Sequence, residues 1–126
     1  VDISKDGVWI ASGSNDRTVR LWNITTKKST WILKGHEDWV NAVRFSHDSQ
    51  YVVSGSQDNT VRVWFVQTGE LAALFPAQEW CINCVSFSPD SKHIASGSLD
   101  KTITIWNLEA KEIITTLEGH EGAVHS

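Results

Sequence analysis

Apolar and polar residues alternate along this chain in short bursts separated by turn-forming residues. The stretch Trp39-Val40-Asn41-Ala42-Val43-Arg44-Phe45 has the period of two that sends successive side chains to opposite faces of a strand. His47-Asp48-Ser49-Gln50 breaks it with turn formers, and Tyr51-Val52-Val53-Ser54-Gly55-Ser56 is a second β-rich run. A tight turn at Gln57-Asp58-Asn59 leads into Thr60 to Val66, and Gln67-Thr68-Gly69-Glu70 turns into Leu71 to Phe75. This pattern predicts four short antiparallel strands. Helix is disfavoured because β-branched residues dominate and no apolar stripe at helical spacing lasts three turns.

The same pattern recurs. SGSNDRTVRLWNI from Ser12, SGSQDNTVRVWFV from Ser54 and SGSLDKTITIWNL from Ser96 are separated by a constant 42 residues. Six of the thirteen positions are identical in all copies and three more hold only Val, Ile or Leu, so the chain is a repeat protein whose repeats decide its fold. Its 126 residues are three times 42, so the whole of this sequence is expected to belong to the repeat array. A sheet of about 40 residues with apolar side chains on both faces cannot stand alone, so neighbouring copies must cover it.

Further residues carry a specific resemblance: Gly35-His36 and Gly119-His120, the Phe-Ser-x-Asp segments at Phe45 to Asp48 and Phe87 to Asp90, and the Ser-Gly-Ser-x-Asp-x-Thr…Trp segments. Together they resemble the WD-repeat, or β-transducin-like, propeller family over the whole chain. The resemblance implies an all-β fold of WD-repeat β-propeller blades, each a four-stranded antiparallel sheet, three to the chain. The first motif occupies 1–34, the second 35–76 and the third 77–118, with the partial start of another at 119–126. Joining Ser126 to Val1 restores an ungapped repeat, so the chain reads as three repeats cut inside a first strand. Three blades do not close a ring. Closure is expected either from oligomerisation, giving six or nine blades, or from further repeats in a longer chain.

In this family a hydrogen-bonded tetrad staples each blade, and the resemblance maps its complete form onto His36, Ser54, Asp58 and Trp64. A turn Asp holds one imidazole nitrogen, the Ser hydroxyl meets the other, and the indole N–H finds its acceptor in that hydroxyl. The partial sets are Ser12, Asp16 and Trp22 in the first copy and Ser96, Asp100 and Trp106 in the third, with His120 after the last motif. The third copy carries Ala77-Gln78 where Gly-His is expected, so its network is altered or completed by the Gln amide. After each motif Trp stand Asn23, Phe65 and Asn107 rather than the Asp of the family's name; Phe65 is expected to pack against a neighbouring blade.

Composition changes the picture in two places. Eleven Lys and Arg against fifteen Asp and Glu give a net charge of −4, without the basic block that neutralises phosphate, so nucleic acid is not an expected partner. No apolar run reaches the length of a membrane span and no leader precedes the first repeat, so the chain is expected to be soluble and intracellular, in the cytoplasm or the nucleus. Cys81 and Cys84 are the only cysteines; positions three apart on a strand face opposite ways, so they read as packed thiols rather than a zinc or redox pair. No metal or cofactor is expected.

Ser, His and Asp are also the types of a hydrolase triad, but a nucleophilic Ser must be exposed beside oxyanion donors, whereas these recur in every strand run. The chain is therefore expected to be no enzyme. What the family resemblance implies is a scaffold that meets protein or peptide partners through one rim, formed by the loop before the first strand and the turn between the second and third. The matching residues are Glu37, Asp38 and Trp39 with Gln57; Glu79, Trp80 and Cys81 with Leu99; and Glu121, Gly122 and Ala123 with Asn15. Trp39 and Trp80 stand where other copies carry Cys81 or Ala123, and Asp38 or Gly122, so they read as binding anchors or as inter-blade packing. Trp9 and Trp31 read as packing on the outer sheet edges. Arg17, Arg20, Arg44 and Arg62 offer a weaker reading, a phosphopeptide pocket. A ligand-sensing array within a larger signalling NTPase and a purely structural assembly are the alternatives.

Overall fold

Twelve strands follow one another in the computed structural model, which describes residues 1–76 and 79–126. β1 (Asp2–Ile3), β2 (Trp9–Gly13), β3 (Val19–Asn23) and β4 (Lys28–Leu33) form the first sheet. The second contains β5 (Val40–Phe45), β6 (Tyr51–Ser56), β7 (Val61–Phe65) and β8 (Leu71–Phe75). The third contains β9 (Ile82–Phe87), β10 (His93–Ser98), β11 (Ile103–Asn107) and β12 (Glu112–Leu117). Each sheet is an antiparallel meander in chain order, as the punctuation predicted, and the described residues include no helix.

Local chemistry sets the hairpins. In the β5–β6 connection the buried Ser46 hydroxyl donates to Asp48 Oδ1 at 2.5 Å and accepts the Tyr51 N–H at 2.9 Å, while Asp48 also takes the Gln50 N–H. Ser4 with Asp6 and Ser88 with Asp90 repeat this arrangement. The residue after each Asp has a positive φ, filled by Gly7, Ser49 and Ser91. Side-chain oxygens thus replace the ladder bonds that the chain reversal removes.

Two cores lie between the sheets. Ala11, Val19, Leu21 and Leu33 pack on Val40, Val43, Val52, Trp64 and Val66. Val53, Val61, Val63 and Phe75 of the second sheet pack in the same way on Ile82, Val85, Ile94 and Trp106 of the third. The period-2 alternation of each strand divides its side chains between these cores, which is why a blade needs a neighbour on both faces.

Two faces have no neighbour. Leu117 occupies in the third sheet the position of Leu33, yet it is 50% exposed where Leu33 is 3% exposed. On the first sheet, Ile3 is 59% exposed where its counterpart Phe45 is 7% exposed. The two open faces carry the two halves of the pattern that meets inside each closed junction.

Polar bonds tie the sheets together as well. Asn41 Nδ2 donates to the Ile82 carbonyl at 2.9 Å, and Asn83, one repeat later, donates to Val124 at 3.0 Å. At the hairpin end, Asp6 N–H reaches Ser49 Oγ and Asp48 N–H reaches Ser91 Oγ, both at 3.3 Å.

Candidate functional site

The motif residues of the second sheet converge on His36. A carboxylate only accepts, so the contact of 2.8 Å between Asp58 Oδ2 and His36 Nδ1 puts the imidazole proton on Nδ1. Nε2 then accepts the Ser54 hydroxyl at 2.8 Å, and Ser54 Oγ accepts the Trp64 indole N–H at 2.9 Å. Asp58 further takes the Glu37 N–H at 3.0 Å, the Thr60 N–H at 2.9 Å and the Thr60 hydroxyl at 2.7 Å. Each of the four motif side chains has a partner, which removes from them the cost of about 1–3 kcal/mol for a buried unsatisfied group.

Electrostatics agrees with a neutral imidazole. Burial lowers the His36 pKa, the neighbouring Asp58 pushes it back up, and Arg62 lowers it again, with a net shift downward. Burial works to raise the Asp58 pKa, but the bonds from Thr60, the Glu37 amide and His36 prevail and hold it at about 2. Ser54 is fully buried and its oxygen is engaged by the indole, so it presents no nucleophile to a substrate.

The other copies keep parts of the network. Trp22 donates to Ser12 and Trp106 to Ser96, each at 2.9 Å. Asp16 and Asp100 hold the turn threonines Thr18 and Thr102. No described histidine joins either set. His120 is exposed and has no bond to a motif residue, and the proposed completion by Gln78 lies outside the described residues.

At one end of the sheets lies the rim. Gln57 N–H donates to the Trp39 carbonyl at 2.9 Å and Leu99 N–H to the Cys81 carbonyl at 3.1 Å, so the loop before each first strand is tied to the second-to-third-strand turn. With the bond of 3.1 Å from the Ser98 hydroxyl to the Trp80 carbonyl, these hold Trp39, Trp80 and Leu99 in place while 46%, 59% and 39% of their surfaces stay exposed. Glu37, Gln57, Glu79, Glu121 and Asn15 are exposed as well. Burial raises the Cys81 thiol pKa and the charge of Asp38 adds to this, so the thiol is protonated at neutral pH. Cys81 and Cys84 are both free, and the described residues hold no cluster of three or more His, Cys, Asp or Glu suited to a metal.

The arginines are engaged separately. Arg20 pairs with Asp16 at 3.7 Å, Arg44 donates to the Val43 carbonyl, and Arg62 covers Gly35, where a side chain would collide with its guanidinium. Phe65 differs from its expectation: its ring rests on Tyr51 of the same sheet, with centroids 5.3 Å apart, and is 39% exposed. The cross-sheet asparagines and Ser49 and Ser91 were missed by the sequence reading. Their signal was the recurrence of Asn at positions 41 and 83 inside a strand run.

Comparison with known proteins is consistent across the chain. The WD40 family, described as "WD domain, G-beta repeat", matches residues 1–23, 27–64 and 69–107. A segment of 41 residues, 32% of this chain, is 42% identical to the Lissencephaly-1 homolog of Trichoplax adhaerens and covers 10% of that protein. Over 44 residues, 34% of this chain, identity to ribosome biogenesis protein ERB1 of Coccidioides immitis is 48%, covering 5% of that protein. The matched segments thus span a small fraction of these relatives.

Proposed function

The chain belongs to the WD40 repeat family, and on that premise we propose that it is a non-enzymatic scaffold that binds protein or peptide partners through the rim carrying Trp39 and Trp80. The observation behind this is the exposure of three large apolar side chains, Trp39, Trp80 and Leu99, on loops tied down by backbone bonds. Such preordered aromatic residues are the usual anchors of interfaces. Glu37, Glu79 and Glu121 around them favour a basic or polar partner over nucleic acid. The named relatives, a Lissencephaly-1 homolog and a ribosome biogenesis protein, differ in task while sharing the repeat, which suits a platform rather than one fixed chemistry. The described residues include no helix long and apolar enough to cross a membrane. An intracellular setting is part of the proposal.

Peptides selected against this chain from a displayed library test the rim. Trp39→Ala and Trp80→Ala are expected to weaken them by about 2 kcal/mol, roughly thirtyfold, while unfolding free energies stay within about 0.5 kcal/mol. Unchanged binding with a lowered unfolding midpoint assigns both tryptophans to packing instead.

We also propose that another blade of this pattern covers the open faces, either in a second copy of the chain or in further repeats. Ala95, Ile103, Ile105 and Leu117 repeat the set Ala11, Val19, Leu21 and Leu33 that is buried in the first core. Light scattering at micromolar concentration separates the sources: a dimer or trimer means that copies close a ring of six or nine blades, and a monomer means that further repeats do so.

A further inference from the structure

The two closed junctions differ in one place. In β4, Trp31 turns toward the second sheet and packs on the first core, its ring lying over Gly69. Forty-two residues later the same position holds Ala73, and Lys111 replaces Gly69. Beside Lys111 the second junction has a cleft of about 570 Å³, lined by Tyr51, Phe65 and Ala72 on one side and by Leu108 and Lys111 on the other. Tyr51, Ala72 and Leu108 are packed against the second core, so the cleft floor continues an apolar interface that already exists.

Phe65 makes this opening more than a missing side chain. At its position Asn23 accepts the Thr26 N–H at 2.9 Å and Asn107 accepts the Ala110 N–H at 2.8 Å, closing the turn after the third strand. Phe65 has no such acceptor and instead exposes an aromatic ring at the cleft wall. A local turn bond is given up for an aromatic ring that, beyond its contact with Tyr51, stays 39% exposed, a local inconsistency of the kind found at functional sites. Asp48, Asp90 and Glu109 line the mouth against Lys92 and Lys111, leaving an excess of one carboxylate over the lysines.

We propose that this cleft receives the aromatic side chain of a protein or peptide partner, preferentially an indole followed or preceded by a basic residue. The ring lies beside Lys111, which stands where Gly69 carries the Trp31 ring in the first junction, between the faces of Tyr51 and Phe65 and the aliphatic side of Leu108. Lys111 supplies a cation at its edge, and the carboxylates meet the flanking basic group. The site lies at the hairpin end of the sheets, opposite the rim of Trp39 and Trp80, and so gives the scaffold a second contact surface.

The probe is acetyl-Trp-Arg-amide, titrated into the isotope-labelled full chain and followed by amide chemical shifts. Shifts concentrated at Tyr51, Phe65, Ala72, Leu108 and Lys111 are expected, with none from acetyl-Ala-Arg-amide. Ala72→Trp places an indole on a residue that lines the cleft and is expected to weaken the probe at least tenfold. Phe65→Asn restores the turn bond of the other copies, so it keeps the fold while weakening the probe by a similar factor, and it decides the matter if the larger substitution misfolds. Trp39→Ala is expected to leave the titration unchanged. Shifts that map to the opposite rim, no shifts up to millimolar probe, or equal affinity in a folded Phe65→Asn variant overturn the proposal.

Discussion

Trp64→Ala is expected to lower the free energy of unfolding by about 3–5 kcal/mol, the range for a large aromatic residue removed from a packed core. Trp64 is 3% exposed, lies between the first two sheets with Val19, Leu21 and Leu33, and meets the His36 ring edge-on at 6.3 Å. Its removal opens a cavity and takes the indole donor from Ser54. Domains of this size are stable by only about 5–15 kcal/mol, so the variant should stand close to its unfolding threshold. Trp22 is the internal control. It makes the same bond of 2.9 Å, to Ser12, but belongs to the uncovered face of the first sheet and is only partly buried. Its replacement by Ala is expected to cost nearer the worth of that one bond, about 1 kcal/mol. Urea unfolding followed by circular dichroism, at concentrations where copies stay apart, compares the two. Equal losses would falsify the assignment of Trp64's contribution to the neighbouring sheet.

The difference between Trp22 and Trp64 also shows what a linear sequence conveys. Alternation along Val40 to Phe45 and its recurrence every 42 residues were enough to expect twelve strands in three sheets, because the β period and the turn residues are local properties. The contacts between sheets are not local. Asn41 looks like an outward polar residue in a strand, and only the approach of β9 makes it a cross-sheet donor to Ile82. Ser49 reads as a turn former and Ser91 is its counterpart one repeat later, although their hydroxyls serve the hairpin of the preceding blade. The replacement of Gly69 by Lys111 was visible as a difference between copies, but the cleft depends on Tyr51 and Phe65 of one sheet facing Leu108 and Lys111 of the next. His120 shows the converse. Its Gly-His signature is intact, yet none of the three described motifs supplies it an Asp or a Ser, and His120 is exposed.

His36→Ala is expected to destabilise the fold by about 1–3 kcal/mol and to change its response to pH. The substitution leaves Asp58 with the Thr60 and Glu37 donors but without the imidazole, and frees the Ser54 hydroxyl to turn to the Arg62 carbonyl, now 3.4 Å away. In the intact protein burial holds the His36 pKa below its ordinary 6.5. The unfolded chain therefore takes up a proton near pH 6.5 that the folded chain resists. Stability is fully present above that pH and declines as pH falls toward the lower folded value. Asp58 adds a second decline in the same direction, beginning below 3.8 and extending toward about 2, because its unfolded carboxyl is protonated before the folded one. Urea unfolding between pH 7.5 and 5 is expected to show a slope in the parent chain that is lost in His36→Ala. His36→Gln separates bonding from titration: the amide, which stands at this position in the third copy as Gln78, restores part of the stability while the slope stays flat. A parent-like slope in both variants would mean that the proton is taken up at another histidine, and that the buried imidazole contributes hydrogen bonds alone.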